Sequence, residues 1–147
     1  MTLFLPADLA EAIRRHLERA YPEEAAGLLL GTADGADKRR VVRALPVDNR
    51  WEGSDRVRRY TIDPRDLMRA EDEANRDGLT VIGIFHSHPD HPPRPSTFDL
   101  EQGLPFYTYL ITRVDGGSAV ETRAWRLADD RLRFDEESLV ISDEVTR

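Results

Sequence analysis

The chain has 147 residues, enough for one domain with a real core and too few for two ordinary ones. A hydrophobic share of 39%, a charged share of 33% and a net charge of −7 fit a soluble globular protein and exclude a basic nucleic-acid footprint. There is no cysteine, so disulfides and thiolate metal sites are excluded, and any metal must be held by His, Asp, Glu or water.

Leu3-Phe4-Leu5 is an apolar run too short for a signal-peptide core, and no later stretch is long enough to span a membrane. The expectation is a cytoplasmic protein, monomeric or weakly dimeric. Pro6 to Ala20 reads as an amphipathic helix with Leu9, Ile13 and Leu17 on one stripe. His16 falls on its polar side and reads as a surface residue. Glu24 to Gly31 is an apolar run bounded by glycine, a buried strand. Asp34-Gly35 turns it into a second strand, Arg40 to Val47. Asn49 to Arg59 is a polar, arginine-rich loop, and Tyr60-Thr61-Ile62 a short strand. Asp63 caps a helix that has Pro64 in its first turn and stops at Gly78. Leu79 to Phe85 is rich in β-branched residues and reads as a strand buried on both faces.

A stiff loop from Pro89 to Pro95 holds four prolines, and Ser96 caps a short helix from Thr97 to Gly103. Strands follow at Tyr107 to Arg113 and Ala119 to Leu127, joined by Asp115-Gly116-Gly117. A last strand is expected around Leu132 to Phe134. Residues 1–135 are therefore read as the domain and 136–147 as a C-terminal tail.

The chemistry concentrates in one place. Three of the four histidines, His86, His88 and His91, lie within six residues. His86 and His88 are two apart at the end of a strand, so their side chains share a face. Asp99 follows after ten intervening residues, in the first turn of the next helix. Two imidazoles and a carboxylate are what a catalytic zinc site uses when its fourth position stays open to water. Zinc lowers the pKa of water from about 15.7 toward about 7, and a nearby acid must then take the proton. Glu24 is the leading candidate, because a charged side chain opening a buried strand needs a reason; Glu23 competes. Ser96 has two compatible readings, a helix cap and a hydrogen-bond donor to an oxyanion. His91, flanked by prolines, reads as a solvated loop residue.

Taken together, these residues resemble the JAMM (MPN+) metalloproteases. The pattern there is a Glu followed three residues later by Gly, then H-x-H, ten residues and Asp, with a Ser three before that Asp. Here the matching positions are Glu24, Gly27, His86, His88, Ser96 and Asp99. The segment RYTIDP at 59–64 is similar to bacterial members. The resemblance implies an α/β fold, a curved mixed β-sheet flanked by helices with a cytidine-deaminase-like architecture. It implies one zinc on His86, His88 and Asp99, Glu24 rather than Glu23 as general acid/base, and Ser96 supporting the oxyanion. It implies hydrolysis of a peptide or isopeptide bond at the C-terminus of a ubiquitin-like protein.

Ala26 stands where many members have Cys, a small-residue exchange remote from metal chemistry. The short spacing from Asp99 to Tyr107 leaves no room for the second insertion of the eukaryotic deubiquitinases. The chain is thus similar to small prokaryotic members, which implies a ubiquitin-like sulfur carrier as substrate. Its C-terminal tail is expected to add as a strand beside a sheet edge near the site, with the loop 49–60 as one wall. Two other readings compete: a non-catalytic binding module, and a non-haem iron HxH enzyme. The latter needs a further downstream His, and none follows His91.

Overall fold

The computed structural model describes residues 1–35 and 37–143. Among the described residues, three helices flank a mixed sheet of seven strands, in the order β1-β3-β2-β4-β5-β6-β7, that curls until it closes. The expected α/β class, curved mixed sheet and flanking helices are all present. No helix among the described residues is long and apolar enough to cross a membrane.

The apolar run at the N-terminus is a strand, β1 (Thr2–Pro6), whose Leu3 and Leu5 are buried. It leads directly into α1 (Ala7–Ala20), which buries Ile13 and Leu17. The hairpin of β2 (Ala26–Asp34) and β3 (Lys38–Val47) follows the expected turn. After α2 (Pro64–Arg76), β4 (Thr80–Pro89) threads the middle of the sheet, antiparallel to β2 and parallel to β5. The helix α3 (Thr97–Gln102) precedes β5 (Thr108–Asp115) and β6 (Ser118–Leu127), a hairpin as expected.

Two segments depart from the sequence reading. Tyr60-Thr61-Ile62 is not a strand; it is extended loop, tied to the start of its own loop by Arg50 N–H donating to the Thr61 carbonyl at 2.9 Å. The last strand is β7 (Phe134–Ser142), well beyond the expected residues 132–134. It pairs with β6 and, in parallel, with β1 over Thr2–Pro6, so residues 136–142, read as tail, take part in the sheet that β7 closes. The final residues of that tail, 144–147, lie outside the described part of the chain.

The sheet separates two cores. Leu3, Leu5, Ile13, Leu17, Phe85 and Leu110 pack with α1 on one side. Leu28, Leu30, Ala70, Ala74, Ile84 and Tyr109 pack with α2 on the other. The β2–β4 register slips between Leu29 and Leu30, whose partners are Gly83 and Val81, leaving Ile82 as an extra residue. Such a bulge reverses which residues face which side. It puts Ile84 on the α2 side, and His86 and His88 follow it there by strand alternation.

Gly27, the glycine of the motif, has a steric duty. A Cβ there would sit 2.0 Å from Phe85 Cζ and 2.6 Å from the Leu45 carbonyl oxygen. The Phe85 ring crosses directly over its strand partner. Gly27→Ala should therefore destabilise the fold by about 1–3 kcal/mol, as overpacking does. A thermal melt at unchanged activity per folded molecule would contradict this if the midpoint did not fall.

Candidate active site

Four segments converge at the C-terminal end of β4. The strand itself brings His86 and His88, both fully buried, with ring centroids 5.1 Å apart. Asp99 is the third residue of α3 and is locked by a reciprocal cap. Its backbone N–H donates to Ser96 Oγ at 3.1 Å, and the Ser96 N–H donates to Asp99 Oδ2 at 2.9 Å. That cap aims the carboxylate at the histidines, with Oδ2 3.0 Å from His88 Nε2 and Oδ1 3.5 Å from His86 Nε2.

Glu24 enters from the other side. It stands two residues before β2 rather than within it, and only 3% of it is exposed. Its Oε1 lies 3.7 Å from His86 Nδ1. Glu23, the competitor, is exposed and faces Arg56 instead. Ser87, between the two histidines, fixes this arrangement. Its Oγ accepts the Ala25 N–H at 3.0 Å, and its own N–H donates to the Ala25 carbonyl at 3.0 Å. Ser87→Ala should leave a buried N–H unsatisfied, at a cost of about 1–3 kcal/mol. It should also lower kcat more than it raises KM, because Glu24 loses its register over His86; equal melting curves for variant and wild type would contradict the first half.

The loop 49–60 also reaches Glu24. The Glu24 N–H donates to the Arg56 carbonyl at 2.7 Å, and its carbonyl accepts from Asn49 Nδ2 at 3.0 Å. Tyr60 stacks on His86 with centroids 4.5 Å apart. Trp51, Arg59 and Phe98 pack into one group that joins this loop to α3.

The electrostatics are those of a site short of positive charge. Burial pushes the Glu24 carboxyl up to about 9, and the negative charges of Asp99 and Asp55 add to the effect. Burial pushes His86 down to about 4, so it is neutral near pH 7. Burial alone would raise Asp99, but His86, His88 and the Ser96 N–H outweigh it and hold the carboxyl well below the usual range. His88 Nδ1 lies 2.8 Å from the Pro92 carbonyl, which can only accept, so Nδ1 carries the hydrogen. Its Nε2 lies 3.0 Å from Asp99 Oδ2, a gap that either a proton on the ring or a cation closes.

Unpartnered atoms point the same way. Glu24 Oε1, His86 Nε2 and Asp99 Oδ1 are buried without a hydrogen-bond partner. Native interiors rarely leave such atoms unsatisfied. His86, His88 and Asp99 each offer a ligand atom within 4.8 Å of the others, so the residues present fit a divalent metal ion.

Comparison with known proteins gives the family. Residues 6–128 match the family described as prokaryotic homologs of the JAB domain. The chain belongs to this prokaryotic JAB (JAMM/MPN) family. It is 34% identical over 116 residues to a probable TtuB-protein conjugate cleaving protease of Thermus thermophilus, covering 79% of this chain and 73% of the relative. It is 30% identical over 128 residues to the CysO-cysteine peptidase of Mycobacterium tuberculosis, covering 86% of this chain and 84% of that one. The fold matches a solution structure of a Desulfitobacterium hafniense protein with a TM-score of 0.82 at 30% identity, covering 97% and 94% of the two chains.

Two contacts of this JAB-type site escape the sequence reading, the hydrogen bonds of Ser87 to Ala25 and the stack of Tyr60 on His86, because each joins segments far apart in the chain. His91, read as solvated, instead stacks on His88 with centroids 4.1 Å apart. His16, read as surface, packs edge-on to Phe85 at 6.1 Å, and its Nε2 lies 3.1 Å from the Ala26 carbonyl.

Proposed function

We propose that this chain is a zinc-dependent peptidase or isopeptidase that cuts at the C-terminus of a ubiquitin-like sulfur carrier protein. One zinc per chain is held by His86, His88 and Asp99. The observation that carries this reading is the convergence of three buried, unpartnered atoms, on Glu24, His86 and Asp99. Zinc supplies Lewis acidity there, polarising the carbonyl and lowering the pKa of water.

The protein's residues do the rest. Glu24 accepts the proton of the attacking water as general base and delivers it to the departing amine as general acid. Burial and the charges of Asp99 and Asp55 push its carboxyl up to about 9, and the positive charge of a bound cation would bring it back down into the range where it can both accept and return a proton. The Ser96 hydroxyl accepts the Asp99 N–H and keeps its own hydrogen, free to donate to the developing oxyanion. His88 is oriented by the Pro92 carbonyl, as ligating imidazoles commonly are.

The substrate class rests on the family and on the named relatives, one a probable TtuB-protein conjugate cleaving protease and one a CysO-cysteine peptidase. We place the activity in the cytoplasm, in a monomer or weak homodimer without membrane or nucleic-acid partners. The carrier tail would run between the loop 49–60 and the loop Pro89–Pro95 toward Glu24. The closed strand order limits where it adds as a strand: β1 pairs with β3 only over Lys38–Arg40, and the rest of β3 keeps an outer edge among the described ladders.

Deleting the loop 49–60 would remove the Glu24 contacts to Asn49 and Arg56 as well as the groove wall. Trp51→Ala separates the two roles. It should raise KM about tenfold, the size of a lost aromatic anchor, with little change in kcat; steady-state kinetics showing an unaltered KM would remove Trp51 from the groove. The substrate itself is reached by capture. Glu24→Gln should retain the carrier protein uncleaved through purification, where mass spectrometry identifies it. Rapid cleavage by the variant would overturn the assignment of Glu24.

A further inference from the structure

We propose that Glu24 and His91 form a second zinc position beside His88, one that inhibits the enzyme when zinc is in excess. The inference rests on the zinc-peptidase reading above and adds regulation to that site.

Glu24, His88 and His91 offer ligand atoms that all lie within 4.8 Å of one another, a second set overlapping the first at His88. Glu24 contributes a carboxylate that is 3% exposed and whose Oε1 has no hydrogen-bond partner. His91 Nδ1 lies 2.8 Å from the Pro89 carbonyl. That carbonyl can only accept, so Nδ1 carries the hydrogen and Nε2 keeps the lone pair a metal needs. The ring is not free to swing away, since it stacks on His88 at an interplanar angle of 19°.

The loop that carries His91 is also well held. Asp90 Oδ2 accepts from the Tyr21 hydroxyl at 2.7 Å, and its Oδ1 accepts from the Gly116 N–H at 3.0 Å. Farther along, the Pro93 carbonyl accepts from Trp125 Nε1 at 2.9 Å. Four prolines stiffen the stretch Pro89–Pro95. Little conformational entropy remains to be lost when a metal binds there.

Imidazole and carboxylate donors suit zinc. With His88 committed to the first ion, the second has Glu24 and His91 as its protein ligands and water for the remainder. Two protein ligands hold an ion less firmly than three, so this position fills only after the first. Its filling takes Glu24 out of service, because a cation on the carboxylate lowers its basicity and turns it away from the attacking water. Excess zinc should therefore slow turnover without displacing the first ion.

The test counts ions as well as turnover. Metal-free protein is loaded with one equivalent of zinc and then titrated to millimolar zinc. Bound metal is measured by equilibrium dialysis, and hydrolysis of a carrier-protein fusion is followed in parallel. A weaker second equivalent should appear, and its midpoint should coincide with loss of activity. In His91→Ala the second equivalent should bind at least about tenfold more weakly. The inhibition midpoint, measured against the variant's own rate at one equivalent, should move by the same factor. His91→Gln serves as the second variant if His91→Ala does not fold. No second equivalent in the wild type, or one bound equally well in the folded His91 variant, would overturn the proposal. Failure of the first equivalent to bind would instead sink the zinc-peptidase reading, so the two failures are told apart.

Discussion

Glu24→Gln should lower kcat for hydrolysis of a carrier fusion by about 10²–10⁴-fold, the usual contribution of a positioned general base. Metal content should stay at the wild-type level, because Glu24 is not among the three residues assigned to zinc. The fold should hold as well. Glutamine is close to isosteric, and the backbone bonds of residue 24 to Arg56 and Asn49 do not involve the side chain. A neutral amide suits a pocket whose burial already pushes the carboxyl up to about 9. The expected result is thus a metal-loaded, fully folded and nearly inactive protein. Kinetics beside metal analysis and a thermal melt check all three parts.

The second large effect concerns Asp99. Asp99→Asn keeps the shape and loses the charge. Zinc in protein sites binds with roughly 10–16 kcal/mol shared among about four ligands, so losing one should weaken binding on the order of a hundredfold or more. Hydrolysis at limiting zinc should disappear with it. The metal-free fold should weaken too. Asp99 Oδ2 lies 3.0 Å from His88 Nε2 and accepts the Ser96 N–H, and with His86 these contacts hold the carboxyl well below the usual range. A carboxylate whose pKa is lowered on folding stabilises the fold at any pH above its unfolded value. Metal-free Asp99→Asn should therefore melt below metal-free wild type at pH 7, and the zinc-loaded wild type should melt higher than both. Equal melting of the two metal-free proteins would contradict this.

Much of this site can be read from local pattern alone. Alternation along a strand is enough to put His86 and His88 on one face, and a Ser three residues before Asp99 is enough to predict the cap that presents the carboxylate. Both rules act over a few residues. What escapes them is decided by segments far apart in the chain. β1 is only five residues long, and it is a strand because β7 and β3 flank it. β7 is acidic, and its first residues resemble a solvated tail until Leu139 packs into the α1 core. The Ile82 bulge has no sequence signature, yet it decides which face the histidines take. His91 looks like an ordinary loop residue, and only the anchoring of its loop through Asp90 and Pro93 brings it onto His88. Tyr60 joins the site through its stack on His86, a contact across more than twenty residues that strand patterning does not report.

The central claim is that zinc on His86, His88 and Asp99, with Glu24 as base, makes this chain a peptidase. The most direct measurement is cleavage of a ubiquitin-like carrier bearing a short C-terminal extension, followed by mass spectrometry through one cycle of metal removal and return. The account predicts a cut at the C-terminal glycine of the carrier, loss of that cut in the chelated protein, and its recovery with one equivalent of zinc. Undiminished cleavage by the metal-free protein, or a zinc-loaded protein that leaves every such extension intact, would contradict it.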